Sequence, residues 1–250
     1  VDEALEGRAS QINVFVGDGC SEFWVWDDGS GIPRGFTEVK DPVNGKITKV
    51  PTLKAVCTLV HTSGKFNDQA YAASRGTHGI GIKATSALST EFHITTLFKG
   101  QWSSAKYAKG IEKEYKEKTV APTLPNGKKL DKGTLIYFKP DFSIFSARKF
   151  PLIFLSEWAM IAAYFTPKFR VLLTNSQGKS KEFFFKDGPR QYAKDKVEKL
   201  GCVPLSPDVF IAQNALVDCV VQFTDHDDVE FNAFTNGISN VEGGVHVRAF

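Results

Sequence analysis

Residues 26 to 33 read WDDGSGIP, with Asp27 followed at i+2 and i+4 by Gly29 and Gly31. An aspartate buried at a strand end is an acceptor for an exocyclic amine such as that of adenine. Bare backbone at the glycines lets a flat base slide over the chain. An ordinary Asp-Gly turn uses the same residues. Residues 76 to 81 read GTHGIG, just before a helical run ending near Leu88. A helix N-terminus offers unpaired N–H groups and the positive end of a dipole, and glycine lets a phosphate approach closely. A tightly packed capping loop is the alternative. Two common nucleotide patterns are excluded. G-x-x-G-x-G is not G-x-G-x-x-G, and no apolar strand leads into it; SGKF at 63 to 66 lacks the upstream glycine and the Ser/Thr of a P-loop.

The elements that must position these residues are legible from periodicity. QINVFV puts Ile12, Val14 and Val16 on one face. SEFWVWDD puts Phe23 and Val25 on one face and Trp24 and Trp26 on the other, with GDG at 17 to 19 as the turn of a hairpin. LKAVCTLVHTS places Leu53, Val56, Cys57 and Val60 on one helical face. A polar stretch from Thr62 to Tyr71 precedes the glycines. EFHITTLF, QWSSAKYAKG and GTLIYFKP read as strands, the last two joined by a lysine-rich connection. LIFLSEWAMIAAYF reads as an apolar helix. FRVLLTN and KEFFFKD form a hairpin around SQGKS. PRQYAKDKVEKLG is an amphipathic helix stopped by Gly201. CVPLSPDVF reads as a linker, followed by the strands LVDCVVQF and VEFNAFTN and the Gly-rich EGGVHVRAF. Strands run as hairpins with helices between groups of them. The expected class is α+β, with helices on one face of a mostly antiparallel mixed sheet.

Composition narrows the classes. The chain has 250 residues, 42% hydrophobic and 24% charged, with a net charge of +3. That charge is too small to argue nucleic-acid binding by itself. No apolar run reaches membrane-spanning length, and VDEALEGRAS is not a signal peptide. Cys20, Cys57, Cys202 and Cys219 are scattered without metal-type pairing and read as reduced core thiols of a cytosolic protein. DHDD at 225 to 228 reads as a polar hairpin turn rather than a metal site. The lysines at 106, 109, 113, 116, 118, 128, 129 and 132 alternate in part with Glu112, Glu114 and Glu117 and read as a solvated loop face rather than a DNA-facing strip. VDEALEG resembles the end of a helix whose beginning is missing, so a fragment is expected.

D-x-G-x-G, a helix, a lid and then G-x-H-G-x-G, taken in that order, resemble the GHKL (Bergerat) ATP fold. With VDEALEG before a strand, DDGSGIP, HTSGKF, GTHGIG, TSALS, GTLIYFKPD and NVEGGVH, essentially the whole chain resembles the ATPase region of the type IIA DNA topoisomerases. EGGVH separates these from MutL-type, MORC-type and histidine-kinase relatives. The resemblance implies a Bergerat two-layer sandwich over 1–205 and the start of a transducer domain over 206–250. It implies that Asp27 binds the adenine amine directly and through water, supported by Thr134. Gly31, Ile32 and Pro33 would form the pocket wall, with Gly29 also at the ATP site. Lys65 and Tyr71 would belong to the lid. Gly76, His78, Gly79, Ile80 and Gly81 would line the phosphates.

The resemblance further implies ATP and Mg²⁺ as cofactors. It implies duplex DNA, a DNA-cleaving subunit and an ATP-dependent homodimer as partners, no membrane, and a cytoplasmic setting in a bacterial or phage-infected cell. The general-base glutamate and the Mg²⁺-binding asparagine of the family would precede Val1, and its γ-phosphate lysine would follow Phe250. These 250 residues alone are therefore expected to bind ATP weakly without turning it over. Arg75 replaces a usual glycine, and Ser30 stands where Arg or Lys is common. The other readings are a non-catalytic GHKL-fold interaction module and a divergent MutL- or MORC-type clamp.

Overall fold

QINVFV alternates and is buried on both sides: Ile12, Val14 and Val16 enter one core, while Phe15, on the face of Gln11 and Asn13, enters another. Such a strand belongs inside a sheet covered on both faces. In the computed structural model, which describes residues 8–40, 46–59, 80–147, 149–166, 168–214, 217–235 and 238–240, this is β1 (Gln11–Val16). It pairs antiparallel with β2 (Phe23–Asp27) and parallel with a strand from far along the chain, Arg170–Thr174.

The remaining elements are β3 (Phe36–Lys40), β4 (Ile47–Pro51), α1 (Thr52–Thr58), α2 (Gly81–Ala87), β5 (Ser89–Phe98), β6 (Gln101–Ala108), β7 (Ile111–Thr119), β8 (Thr134–Pro140), α3 (Leu152–Tyr164), β9 (Arg170–Thr174), β10 (Ser180–Phe183), α4 (Pro189–Leu200), β11 (Phe210–Gln213), β12 (Asp218–Val221), β13 (Phe234–Thr235) and β14 (Ile238–Ser239). Eight strands form one sheet in the order β10-β9-β1-β2-β8-β5-β6-β7. Within it only β1 and β9 run parallel; the other pairings are antiparallel. The expected α+β class with a mostly antiparallel mixed sheet is what the molecule shows.

Helices cover one face, which we term the front. Ala159, Ala162 and Ala163 of α3, each at most 1% exposed, let that helix lie close against Val14, Phe23, Val171 and Leu173. Leu53 and Cys57 of α1 pack with Phe92 and Ile94 of β5 and Ala105 and Tyr107 of β6. On the back, Phe15, Trp26, Trp102 and Leu135 pack under Leu124 and Leu130, which belong to the segment between β7 and β8. Gly201 ends α4 in the left-handed conformation, as its position predicts.

Several expectations need correction. The lysine-rich connection is partly β7, an edge strand paired with β6. Its charges hid it from a search for apolar alternation, and they are paired: Lys106 and Lys116 with Glu114, Lys54 with Glu112. The hairpin β3–β4 carries no strong pattern, and Phe36 and Ile47 are exposed. The linker reading of CVPLSPDVF fails at both ends: Pro204 bridges Thr224, and Phe210 begins β11, which pairs with β12. VEFNAFTN is not a continuous strand; among its described residues only Phe234 and Thr235 pair, with β14. DHDD therefore does not join two strands, although it does turn, with the Asp228 N–H donating to His226 Nδ1. All four cysteines are free, but only Cys57 is buried. The helix expected to reach Val60 ends at Thr58, with Leu59 extended and Val60 outside the described residues. Among the described residues no helix is long and apolar enough to cross a membrane, and no group of three or more His, Cys, Asp or Glu side chains could hold a metal ion.

Candidate functional site

Register brings the first candidate residues together. Asp27, the last residue of β2, lies opposite Thr134, the first of β8, and Thr134 lies opposite Thr96 of β5. All three side chains point to the front, because Phe23 and Val25, at even spacing from Asp27, enter the helix-covered core. The hydroxyls of Thr134 and Thr96 are hydrogen bonded at 2.9 Å, and both residues are buried. Thr96 also accepts from the Ile32 N–H at 2.9 Å. Asp27 is partly exposed, and its Oδ1 accepts from the Gly29 N–H at 3.0 Å. The Asp-Gly turn and the strand-end acceptor are thus the same structure. One carboxylate oxygen closes the turn while the side chain stays at the head of a threonine row.

Two glycines fix the backbone around this row. Gly31 has φ +78°, and a Cβ there would lie 1.8 Å from the Leu97 carbonyl oxygen. Gly133 has φ +84°, and its Cβ would lie 1.8 Å from the Asp27 carbonyl oxygen. A side chain at either position is excluded both by conformation and by space. Beyond Pro33, Arg34 donates to Gln101 at 2.6 Å and to Glu117 at 3.0 Å, tying the glycine loop to β6 and β7.

Ile32 and Ile82, the second residue of α2, pack on the same cluster of Leu53, Phe92, Ile94 and Tyr107. The wall after Asp27 and the first turn of α2 therefore share one hydrophobic support. Gly81 opens α2 and is exposed, with Ile80 before it also exposed. Lys65, Tyr71, Gly76, His78 and Gly79, like the EGGVH element, lie outside the described residues.

Sequence reasoning missed three contributors. Thr96 carries a signal: in EFHITTLF it follows Phe92 and Ile94 in the alternation, a hydroxyl on an otherwise apolar face. Gly133 was read only as the neighbour of Thr134, since its clash depends on β2 and β8 meeting. Asp28 is the third. Its carboxylate faces the other way and accepts from the Ser10 N–H and Oγ, the Gln11 N–H and Lys132 Nζ, at 2.6 to 2.9 Å. Burial works against its charge, but the bonds from Ser10, Lys132 and Gln11 outweigh burial and hold its pKa at about 2.

No family model matches the chain. It is 30% identical over 254 residues to the DNA gyrase B protein of Clostridium acetobutylicum, 31% over 255 to that of Archaeoglobus fulgidus, and 29% over 254 to the DNA topoisomerase 4 B protein of Mycoplasma capricolum. Each alignment takes in the whole of this chain but only 37% or 38% of the relative, so the chain spans little over a third of their length. Its fold matches the 43K ATPase domain of Thermus thermophilus gyrase B, solved with an aminocoumarin, at a TM-score of 0.71 and 25% identity, over 99% of this chain and 60% of that one. The topoisomerase IV ATP-binding domain of Francisella tularensis, solved with a small-molecule inhibitor, shares the fold at 0.68 and 22%, over 98% and 61%. Along its whole length, this chain is similar in sequence to the gyrase B and topoisomerase IV B proteins and has the fold of the gyrase B ATPase domain.

Proposed function

We propose that the chain is the ATP-binding region of a type II DNA topoisomerase, and that ATP closes two copies around a DNA duplex while a DNA-cleaving subunit or domain opens another. The observation that carries this reading is the row Asp27–Thr134–Thr96 with Gly31 and Gly133 bared beside it. A carboxylate beside a buried hydroxyl pair presents acceptors and a donor to an amino-bearing base edge. The glycines at 31 and 133 let the chain close against Leu97 and Asp27 and so hold that row in place.

In this reading Asp27 takes the adenine amine, with Thr134 holding a bridging water, and Gly31, Ile32 and Pro33 form the wall, with Gly29 also at the site. Ile80 and Gly81 open the helix on which the phosphates rest, together with Gly76, His78 and Gly79. Lys65 and Tyr71 complete the lid. Bound ATP supplies the phosphoanhydride whose cleavage resets the closed dimer. Among the described residues no group of three or more His, Cys, Asp or Glu side chains could hold Mg²⁺ by itself, so bound phosphates and water would have to complete its shell. Residues 1–205 form the nucleotide domain and 206–250 begin a transducer domain. As an isolated polypeptide, these 250 residues bind nucleotide weakly and do not hydrolyse it.

Calorimetric titration with a non-hydrolysable ATP analogue and Mg²⁺ tests the reading. Binding is expected, and Asp27→Asn should weaken it about tenfold to a hundredfold, the worth of a hydrogen bond to a charged acceptor. A folded chain that binds no analogue, or an Asp27→Asn variant that binds equally well, would refute it.

A further inference from the structure

The back of the sheet holds a second concavity, remote from the row of Asp27 because alternate residues of β2 point to opposite faces. It has a volume of about 500 Å³, within the usual range for small-molecule sites. Its floor is Gln11 and Asn13 of β1 with the indoles of Trp24 and Trp26, and Lys128 stands in one wall. That wall is built: Leu124 and Leu130 are buried against Trp26, and Lys128 Nζ sits 5.0 Å from the Trp26 ring centre.

The decisive residue is Asn13. It is only 7% exposed, it lines the concavity, and its side-chain amide has no hydrogen-bond partner among the described residues. A position that merely filled the sheet would carry leucine or valine there, as its neighbours do. An amide aimed into an aromatic-walled space presents a donor and an acceptor side by side, the pattern that pairs with the edge of an adenine-like ring. The half-buried indole of Trp24 beside it suits a flat ring. Charge argues against a phosphate, since the rim carries Asp18 and Glu22 against the single Lys128.

We infer that this back-face cavity binds an uncharged planar nitrogen heterocycle, a nucleobase or nucleoside, with the Asn13 amide reading its edge and Trp24 walling its ring. The site is independent of the proposed ATP site on the front.

Adenosine is the probe, titrated into the Asp27→Asn chain so that the front acceptor is removed, and followed by tryptophan fluorescence and calorimetry. Binding is expected there and should weaken at least about tenfold in the Asp27→Asn, Asn13→Leu double variant. AMP, which adds charge, should bind less well than adenosine. Asn13→Leu alone should leave the melting temperature nearly unchanged, since the amide faces the cavity, and should leave ATP-analogue binding unchanged. No binding of adenosine to Asp27→Asn, or equal binding by the double variant, would overturn the inference.

Discussion

Asp27 and Asp28 are neighbours with opposite environments. Asp27 is partly exposed at the head of the threonine row, whereas the Asp28 side chain is 3% exposed and surrounded by donors. Because Asp28 has a folded pKa of about 2 against an ordinary 3.8, its contribution is fully present above about pH 4. It is lost as pH falls toward 2, where the folded state must also take up the proton. That contribution is on the order of 2 kcal/mol. Urea unfolding at pH 7, 4 and 2.5 should show the loss, and Asp28→Asn should be less stable at pH 7 with a flatter acid limb. The glycines give a second contrast. Gly31→Ala and Gly133→Ala each require backbone to move, and should cost about 3 kcal/mol or more. Gly178→Ala, at φ +77° but with nothing within 4 Å, should cost only about 1 kcal/mol. Midpoints of denaturant unfolding distinguish these outcomes.

Among the elements, β7 shows how function of a different kind is written in charge. An edge strand exposes unpaired N–H and C=O groups, and lysines along it discourage pairing with another chain. Lys113 and Lys118 are exposed on that edge. Replacing both with valine should leave the melting temperature nearly unchanged but promote self-association, visible by light scattering at rising protein concentration. Legibility followed the same physics. β1 and β2 could be read from sequence because each face of their alternation enters a core. β7 could not, because an edge strand stabilised by ion pairs has no apolar face to betray it. Val229 and Phe231 misled in the other direction: they alternate like a strand but are 90% and 49% exposed, and no described strand pairs with them.

For the molecule as a whole, the front site was legible in its residue types but not in its assembly. The motifs named Asp27, Gly31 and Thr134. That Thr96 links the row to Ile32, and that Gly133 must yield to the Asp27 carbonyl, follows only from strands that meet across the sheet. Those strands come from distant parts of the chain. Trp26 donates to the Lys132 carbonyl 106 positions away, and β1 cannot gain its parallel neighbour until Arg170–Thr174 exists. During synthesis the hairpin of β1 and β2 therefore leaves the ribosome with both flanks open and waits until β8 and then Arg170–Thr174 follow. Contacts of such long range slow folding and leave sticky edges available meanwhile. A nascent chain of this protein should remain a client of chaperones until β8 and β9 have emerged, and only then assemble the row of Asp27, Thr134 and Thr96.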